Sequence, residues 1–330
     1  MQKHANISIF VPHMGCPNMC SFCNQRHITK TSEIPDEKTI EQAVNIAKSS
    51  NNYAPQNTEI AFFGGSFTAI EFNFMERLLK KAYEYVCHGD VTGIRISTRP
   101  DAINQDILDV LKKYGVTTIE LGAQSMSDRV LGAINRGHTA DDVRNAAKLI
   151  NQNGFTLGLQ MMTGLPKSNS STDMFTASEF VRLKAKQVRI YPTIVLRDTE
   201  LCSSYSKGEY IPQNLETAIA DCAKLLTFFD SAQIPVIRLG LHTIDFDKYV
   251  SGPWHPAFRE LCESEILLNK AITKLTDLPK GNYNIYVNNT DLSKMIGQNK
   301  VNIKTLFKLG YDCKVIADTK LDKNDLIISK

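Results

Sequence analysis

Cys16-Pro-Asn-Met-Cys20-Ser-Phe-Cys23 sets three thiols at CxxxCxxC spacing, shortly after the apolar run Ile7-Ser-Ile-Phe-Val11, which reads as a strand. Three thiolates this close on one loop can hold three irons of a compact 4Fe-4S cluster and leave the fourth iron open to bind a substrate. Zinc is the alternative, since soft sulfur ligands suit both. A structural zinc site takes four ligands, however, and only His27 stands nearby as a fourth, with no second CxxC downstream. Cys87, Cys202, Cys222, Cys262 and Cys313 are scattered singly, and no secretory segment precedes the cysteine loop, so a disulfide framework is not expected. A loop leaving the C-terminal end of a strand is where a parallel barrel carries its chemistry.

Working outward, residues 1–250 alternate short apolar runs with amphipathic stretches, the pattern of repeated βα units. The periodicity predicts strands at Ile7–Val11, Glu59–Phe63, Gly93–Ser97, Thr117–Leu121, Thr156–Met161, Gln187–Tyr191 and Pro235–Leu239. Helices are expected at Asp36–Lys48, Phe72–Tyr85, Gln105–Lys113, Ala140–Asn151, Thr172–Leu183 and Leu215–Ser231. Six strand–helix units make an α/β fold with a partial TIM-like (β/α)6 barrel whose open side can admit a large substrate. Ser97-Thr-Arg99-Pro100 and Gly164-Leu-Pro166 fall just after strand ends, at the catalytic face. Ser251-Gly-Pro-Trp-His-Pro-Ala-Phe258 reads as a rigid aromatic loop before a helix over Arg259–Lys274.

The cysteine loop, with Phe22 before its third thiol, resembles that of radical S-adenosylmethionine (SAM) enzymes. Ala61-Phe-Phe-Gly64-Gly65-Ser66-Phe67-Thr68 resembles the strand and glycine turn that receive the SAM amino group in that superfamily. Ile96-Ser-Thr-Arg-Pro-Asp101, Ile119-Glu-Leu-Gly-Ala-Gln-Ser125, Asn135-Arg-Gly-His-Thr139 and Val188-Arg-Ile-Tyr-Pro-Thr-Ile-Val-Leu-Arg-Asp-Thr-Glu-Leu201 narrow the likeness to the radical SAM half of the Elongator catalytic subunit. The resemblance implies a 4Fe-4S cluster on Cys16, Cys20 and Cys23, an external electron donor, and reductive cleavage of SAM to a 5'-deoxyadenosyl radical. It implies SAM contacts from Gly64, Gly65 and Ser66, with Gln124 and Arg136 toward the carboxylate and ribose. Ser97, where relatives often carry an acidic residue, and Gln160 would complete the ribose side. The chain leaves no room for the acetyltransferase domain that this family places after its barrel, which puts acetyl-CoA use in doubt.

The 330 residues carry 38 basic and 35 acidic groups, and the whole excess lies in residues 281–330, with eight lysines against five aspartates. There Tyr283-Asn-Ile-Tyr-Val287 alternates as a strand, and Leu292–Gly310 reads as helix, tight loop and helix. Ile296-Gly297-Gln-Asn-Lys300 looks like the Ile-Gly-x-x-Gly loop of a KH module, with Lys300 in place of the second glycine. A small α+β KH-like C-terminal domain would bind single-stranded RNA through Gly297, Lys300 and Lys304. Lys294 and Lys308 are expected to join that surface. The expected division is a barrel over 1–250, a connector with a helix over 251–280 and the KH-like module over 281–330. No apolar run reaches membrane-spanning length, and a cytoplasmic enzyme acting on RNA, most simply transfer RNA, is expected. Two other classes compete: a radical SAM enzyme on a porphyrin-like or small metabolite, and a noncatalytic cluster-containing RNA-binding protein.

Overall fold

The computed structural model describes residues 4–11, 16, 19–23, 34–241 and 246–330. His27, the candidate fourth ligand for zinc, lies outside the described residues. The chain opens with β1 (Ala5–Val11), α1 (Glu37–Lys48), β2 (Thr58–Gly64), α2 (Phe72–Cys87), β3 (Gly93–Thr98), α3 (Gln105–Lys113) and β4 (Val116–Gln124). A short α4 (Asp128–Ala133) precedes α5 (Ala140–Gln152), and β5 (Thr156–Thr163), α6 (Ser170–Arg182) and β6 (Gln187–Pro192) continue the alternation. A two-residue β7 (Val195–Leu196), α7 (Glu200–Ser206) and α8 (Leu215–Ser231) lead to β8 (Val236–Leu239), β9 (Tyr249–Ser251) and the long α9 (Phe258–Thr276). The tail holds β10 (Gly281–Val287), α10 (Leu292–Ile296), α11 (Val301–Lys308), β11 (Tyr311–Ala317) and β12 (Leu326–Ser329).

Among the described residues, seven strands form one parallel sheet in the order β1-β2-β3-β4-β5-β6-β8, so each lies beside its predecessor. Winding in one direction puts every connecting helix on the same face, and the sheet curls into a half-barrel. Strand alternation divides the side chains. Ile60, Phe62, Ile94, Ile96, Ile119, Leu121, Leu157, Leu159, Val188 and Ile190 point to the helices and are fully buried. Each contributes roughly 1.5–3 kcal/mol by leaving water. The opposite parity, Glu59, Arg95, Glu120, Gln160 and Arg189, lines the inside of the curl. Capping boxes start α1 (Asp36 with Thr39) and α5 (Thr139 with Asp142), each worth about 1 kcal/mol.

A second core lies in the tail, where β10 pairs parallel with β11 and antiparallel with β12. The helix α9 belongs to both cores: Phe258 and Cys262 pack under the half-barrel, while Leu267, Leu268, Ala271 and Leu275 pack with Ile285, Val287 and Leu306. Buried polar contacts fix the tail to it. Ser264 Oγ donates to the Lys294 carbonyl at 2.8 Å, and Asn302 Nδ2 donates to Ser264 Oγ at 2.9 Å.

Candidate active site

The cysteine loop is pinned at its centre. Ser21 N–H donates to Ile134 O and Leu201 N–H donates to Ser21 O, while Phe22 packs against both satellite clusters, one around Leu131 and Leu165, the other around Val195 and Leu201. Cys20 is buried, Cys16 and Cys23 are half-buried, and Cys23 N–H closes a turn onto Cys20 O at 2.9 Å. Among the described residues no three His, Cys, Asp or Glu side chains converge where they could hold a metal ion, so the thiols share one loop without forming a closed cage.

Two guanidiniums face this loop. Arg136 Nη1 donates to Cys20 Sγ at 3.2 Å and its Nη2 donates to the Gly122 carbonyl at 2.7 Å, while its buried Nε has no partner among the described residues. Arg99, only 2% exposed, is gripped by Asp101 through two 2.9 Å hydrogen bonds, with its Nη1 likewise unpartnered among the described residues. Burial pushes the Cys16 thiol up, and the charges of Arg136 and Arg99 oppose that rise. His138 is buried near both arginines, its Nδ1 without a partner among the described residues; burial and then the two cations press its pKa down to about 4. Three soft thiols beside two buried cations with N–H groups to spare fit an anionic iron–sulfur group and a carboxylate-bearing cofactor.

Backbone shape brings Gln124 to the same place. A register shift between Gly122 and Gln124 bulges β4, and Gln124 takes φ 66°. A Cβ on Gly122 would sit 2.9 Å from Arg136 Nη2 and 3.1 Å from Gln124 Nε2, so the missing side chain lets both reach the strand end. Gly64 has φ 111°, and a Cβ there would lie 2.8 Å from Val11 O; Gly65 N–H donates to the same carbonyl. Ser66 is buried, its hydroxyl 2.9 Å from Thr98 Oγ1 and accepting from Arg99 N–H at 3.0 Å. That side chain braces the β2 turn against the end of β3 and so sets the start of the Arg99 loop. The structure therefore groups Cys20, Gly122, Gln124 and Arg136 directly, and brings Ser66 in through Arg99.

Ser97 and Gln160 meet each other instead, deeper inside the curl. Gln160 Nε2 lies 3.4 Å from Ser97 Oγ and donates to Glu120 Oε2 at 3.0 Å. Glu120, 1% exposed, also accepts from Arg95 at 2.6 Å and from Arg189 at 2.6 and 3.0 Å. Arg95 is shared with Glu59 at 2.8 Å. Burial would raise the Glu59 carboxyl, but His4 and Arg95 hold it at about 2. The sequence carries no sign of this lattice; it puts the Arg99 loop at the catalytic face but assigns no role to Arg99 or His138, although the Arg-x-Asp spacing at residues 99–101 is a signal for Arg99.

In the tail, Gly297 ends α10 with φ 77°, and Asn299 and Lys300 both adopt left-handed backbone, φ 53° and 59°. The conformation a glycine would favour is thus kept where lysine stands. Lys300, Lys304 and Lys308 are exposed on the loop and α11. Lys294 does not join them, a correction to the expected surface: it is tied to Glu263 at 2.8 Å and Asp291 at 3.0 Å. No helix among the described residues is long and apolar enough to cross a membrane.

A half-barrel with a cysteine loop at its strand ends defines a class, and a family model described as the Radical SAM superfamily matches residues 10–175, followed by a Radical_SAM C-terminal domain over 185–267. The chain belongs to the radical SAM superfamily, a family of enzymes that use a 4Fe-4S cluster and SAM. Within it, the chain is similar to the tRNA uridine(34) acetyltransferase of Methanocaldococcus jannaschii, 28% identical over 181 residues, 49% of this chain and 34% of that protein. Elongator complex protein 3 of Dictyostelium discoideum is 27% identical over 231 residues, 63% of this chain and 40% of its own. The chain thus spans little more than a third of these curated relatives. In fold, it matches the archaeal Methanocaldococcus infernus Elp3 lacking its N-terminus with a TM-score of 0.65 at 19% identity, over 85% of this chain and 65% of that one.

Proposed function

We propose that Cys16, Cys20 and Cys23 ligate the cluster, that Gly64, Gly65, Ser66, Ser97, Gln124, Arg136 and Gln160 line the SAM site, and that the enzyme modifies RNA, most simply a transfer RNA in the cytoplasm. When bound and reduced by an external donor, the cluster and SAM supply a 5'-deoxyadenosyl radical able to take hydrogen from an unactivated C–H bond. The protein's own work is electrostatic and steric. Arg136 offers charged N–H groups between the thiol loop and the end of β4, the arrangement that carries this reading because one side chain touches both Cys20 and the Gly122–Gln124 bulge. Arg99, held by Asp101, adds a second fixed cation. His138 stays neutral beside them at physiological pH. The inner lattice around Glu120 holds Gln160 and Ser97 in place.

RNA as substrate is supported by the similarity to tRNA uridine(34) acetyltransferases and by exposed lysines on the strand–helix–loop–helix tail. In this reading residues 1–250 are the barrel, 251–280 the connector and 281–330 a KH-like module contacting RNA through Gly297, Lys300 and Lys304. Anaerobic reconstitution should load four irons per chain and support SAM cleavage in wild type, with cleavage lost in Cys20→Ala. Nucleosides of transfer RNA from cells with and without the protein should differ by one modification. Turnover that survives Cys20→Ala would sink the cluster assignment; unchanged nucleosides would sink the RNA substrate.

A further inference from the structure

At the open edge of the half-barrel, a cleft of about 520 Å³ separates β8 from the tail, lined by Arg238, His255, Arg259, Glu260, Glu263 and Lys294. Arg238 projects from the last strand of the sheet, in register with Arg189 on β6. Three arginines share this neighbourhood, and two are matched: Arg189 by Glu120 at 2.6 Å and Arg259 by Glu263 at 2.8 Å. Lys294 is matched too. Arg238 is the exception. Its Nε donates to the Gly240 carbonyl at 3.1 Å, and among the described residues no carboxylate lies within ion-pair reach of it. Burial lowers its pKa, Tyr191 works against that fall, and the charges of Arg189 and Arg259 add to it. The first turn of α9 opens on the same cleft without a side-chain cap; its Phe258 N–H is taken by His255 O, and its Glu260 sets a carboxylate among the cleft's cations.

Beside the cleft lies an aromatic pair. Phe246, 63% exposed, meets Trp254 edge to face with ring centroids 4.9 Å apart, and Trp254 directly precedes His255. A cleft arginine with no carboxylate partner among the described residues, and an exposed aromatic ring packed on the residue before the cleft-lining His255, match a polymer that offers phosphates and unpaired bases together. We infer that the cleft between β8 and α9 binds the backbone of single-stranded RNA, with a phosphate at Arg238 and a base on Phe246. It lies between the half-barrel and the lysine-bearing tail, where a strand held by both would pass. This deepens the RNA reading above and rests on it.

The test uses the full chain and a fluorescently labelled anticodon stem-loop RNA, with affinity measured by anisotropy across a salt series. Arg238→Gln should weaken binding about tenfold and lower the slope of log K against log salt by about 0.7, the contribution of one phosphate on a single strand. Arg238→Lys should keep the slope. Phe246→Ala, at an exposed position that does not threaten folding, should weaken binding at least fivefold with the slope unchanged. Wild-type binding that neither Arg238→Gln nor Phe246→Ala alters overturns this cleft alone. No binding by wild type overturns the RNA reading and the cleft with it.

Discussion

Replacing Glu120 by Ala should be among the most damaging single changes in the half-barrel, and its size follows from the contacts. The carboxylate is 1% exposed and accepts from Arg95, twice from Arg189, and from Gln160. After truncation Arg95 keeps Glu59, but Arg189 is left in the interior with no carboxylate. Removing one partner of a buried pair costs about 3–5 kcal/mol, because the surviving charge stays desolvated. At roughly 2–4 °C per kcal/mol for a chain of this order, the melting midpoint should fall by about 10 °C. Circular dichroism of the metal-free protein reads this directly. The double variant Glu120→Leu with Arg189→Met removes both charges and leaves the Arg95–Glu59 pair, so it should recover at least half of the loss. SAM affinity should drop in the single variant as well, since Gln160 loses its acceptor. A midpoint within 2 °C of wild type, or a double variant no more stable than the single, would refute the claim that Arg189 depends on Glu120.

Arg136→Ala should leave iron loading near wild type while weakening SAM binding at least tenfold, as expected for loss of charge-assisted hydrogen bonds; equilibrium dialysis with labelled SAM checks this, and unchanged affinity removes Arg136 from the site. His138 has a folded pKa of about 4 against an ordinary 6.5, so the unfolded chain takes the proton first as pH falls. Its contribution is complete above pH 6.5 and declines by up to about 3 kcal/mol on acidification to pH 4. Urea titrations of metal-free wild type and His138→Gln should therefore diverge in that window and run parallel above it. Lys300→Glu with Lys304→Glu should reduce the salt slope of RNA binding by about 1.4 without affecting SAM cleavage measured in the absence of RNA; an unchanged slope removes the tail lysines from the interface.

The helix-facing half of the sheet was legible because its chemistry is local. Ile60 and Phe62, Ile94 and Ile96, or Leu157 and Leu159 announce a strand and its buried face within a few residues, and each expected strand lies where the pattern put it, with ends moved by at most three residues. The inward half was not, because its meaning is shared among strands. Glu59, Arg95, Glu120 and Arg189 each read as a charged residue in an apolar run until the curl brings four strands into register. The tail strands β11 and β12 escaped for a related reason: Tyr311-Asp-Cys-Lys-Val carries charges on its outer face and only pairs once α10 and α11 return the chain to β10.

The same distinction separates the parts of the site. CxxxCxxC is a local device, readable from one loop, whereas the cation that addresses it comes from Arg136, 116 residues beyond Cys20. Lys294 shows the error that local reading invites: helical spacing put it with Lys300, Lys304 and Lys308, but Glu263 on α9 and Asp291 claim its charge. Arg238 is the converse case. Nothing in Val236-Ile-Arg-Leu239 marks that arginine, and its interest arises only because its neighbours' charges are matched while its own is not. A cation's availability to a ligand is therefore a property of the surrounding pairing, and at the sheet edge no next strand supplies Arg238 with a carboxylate.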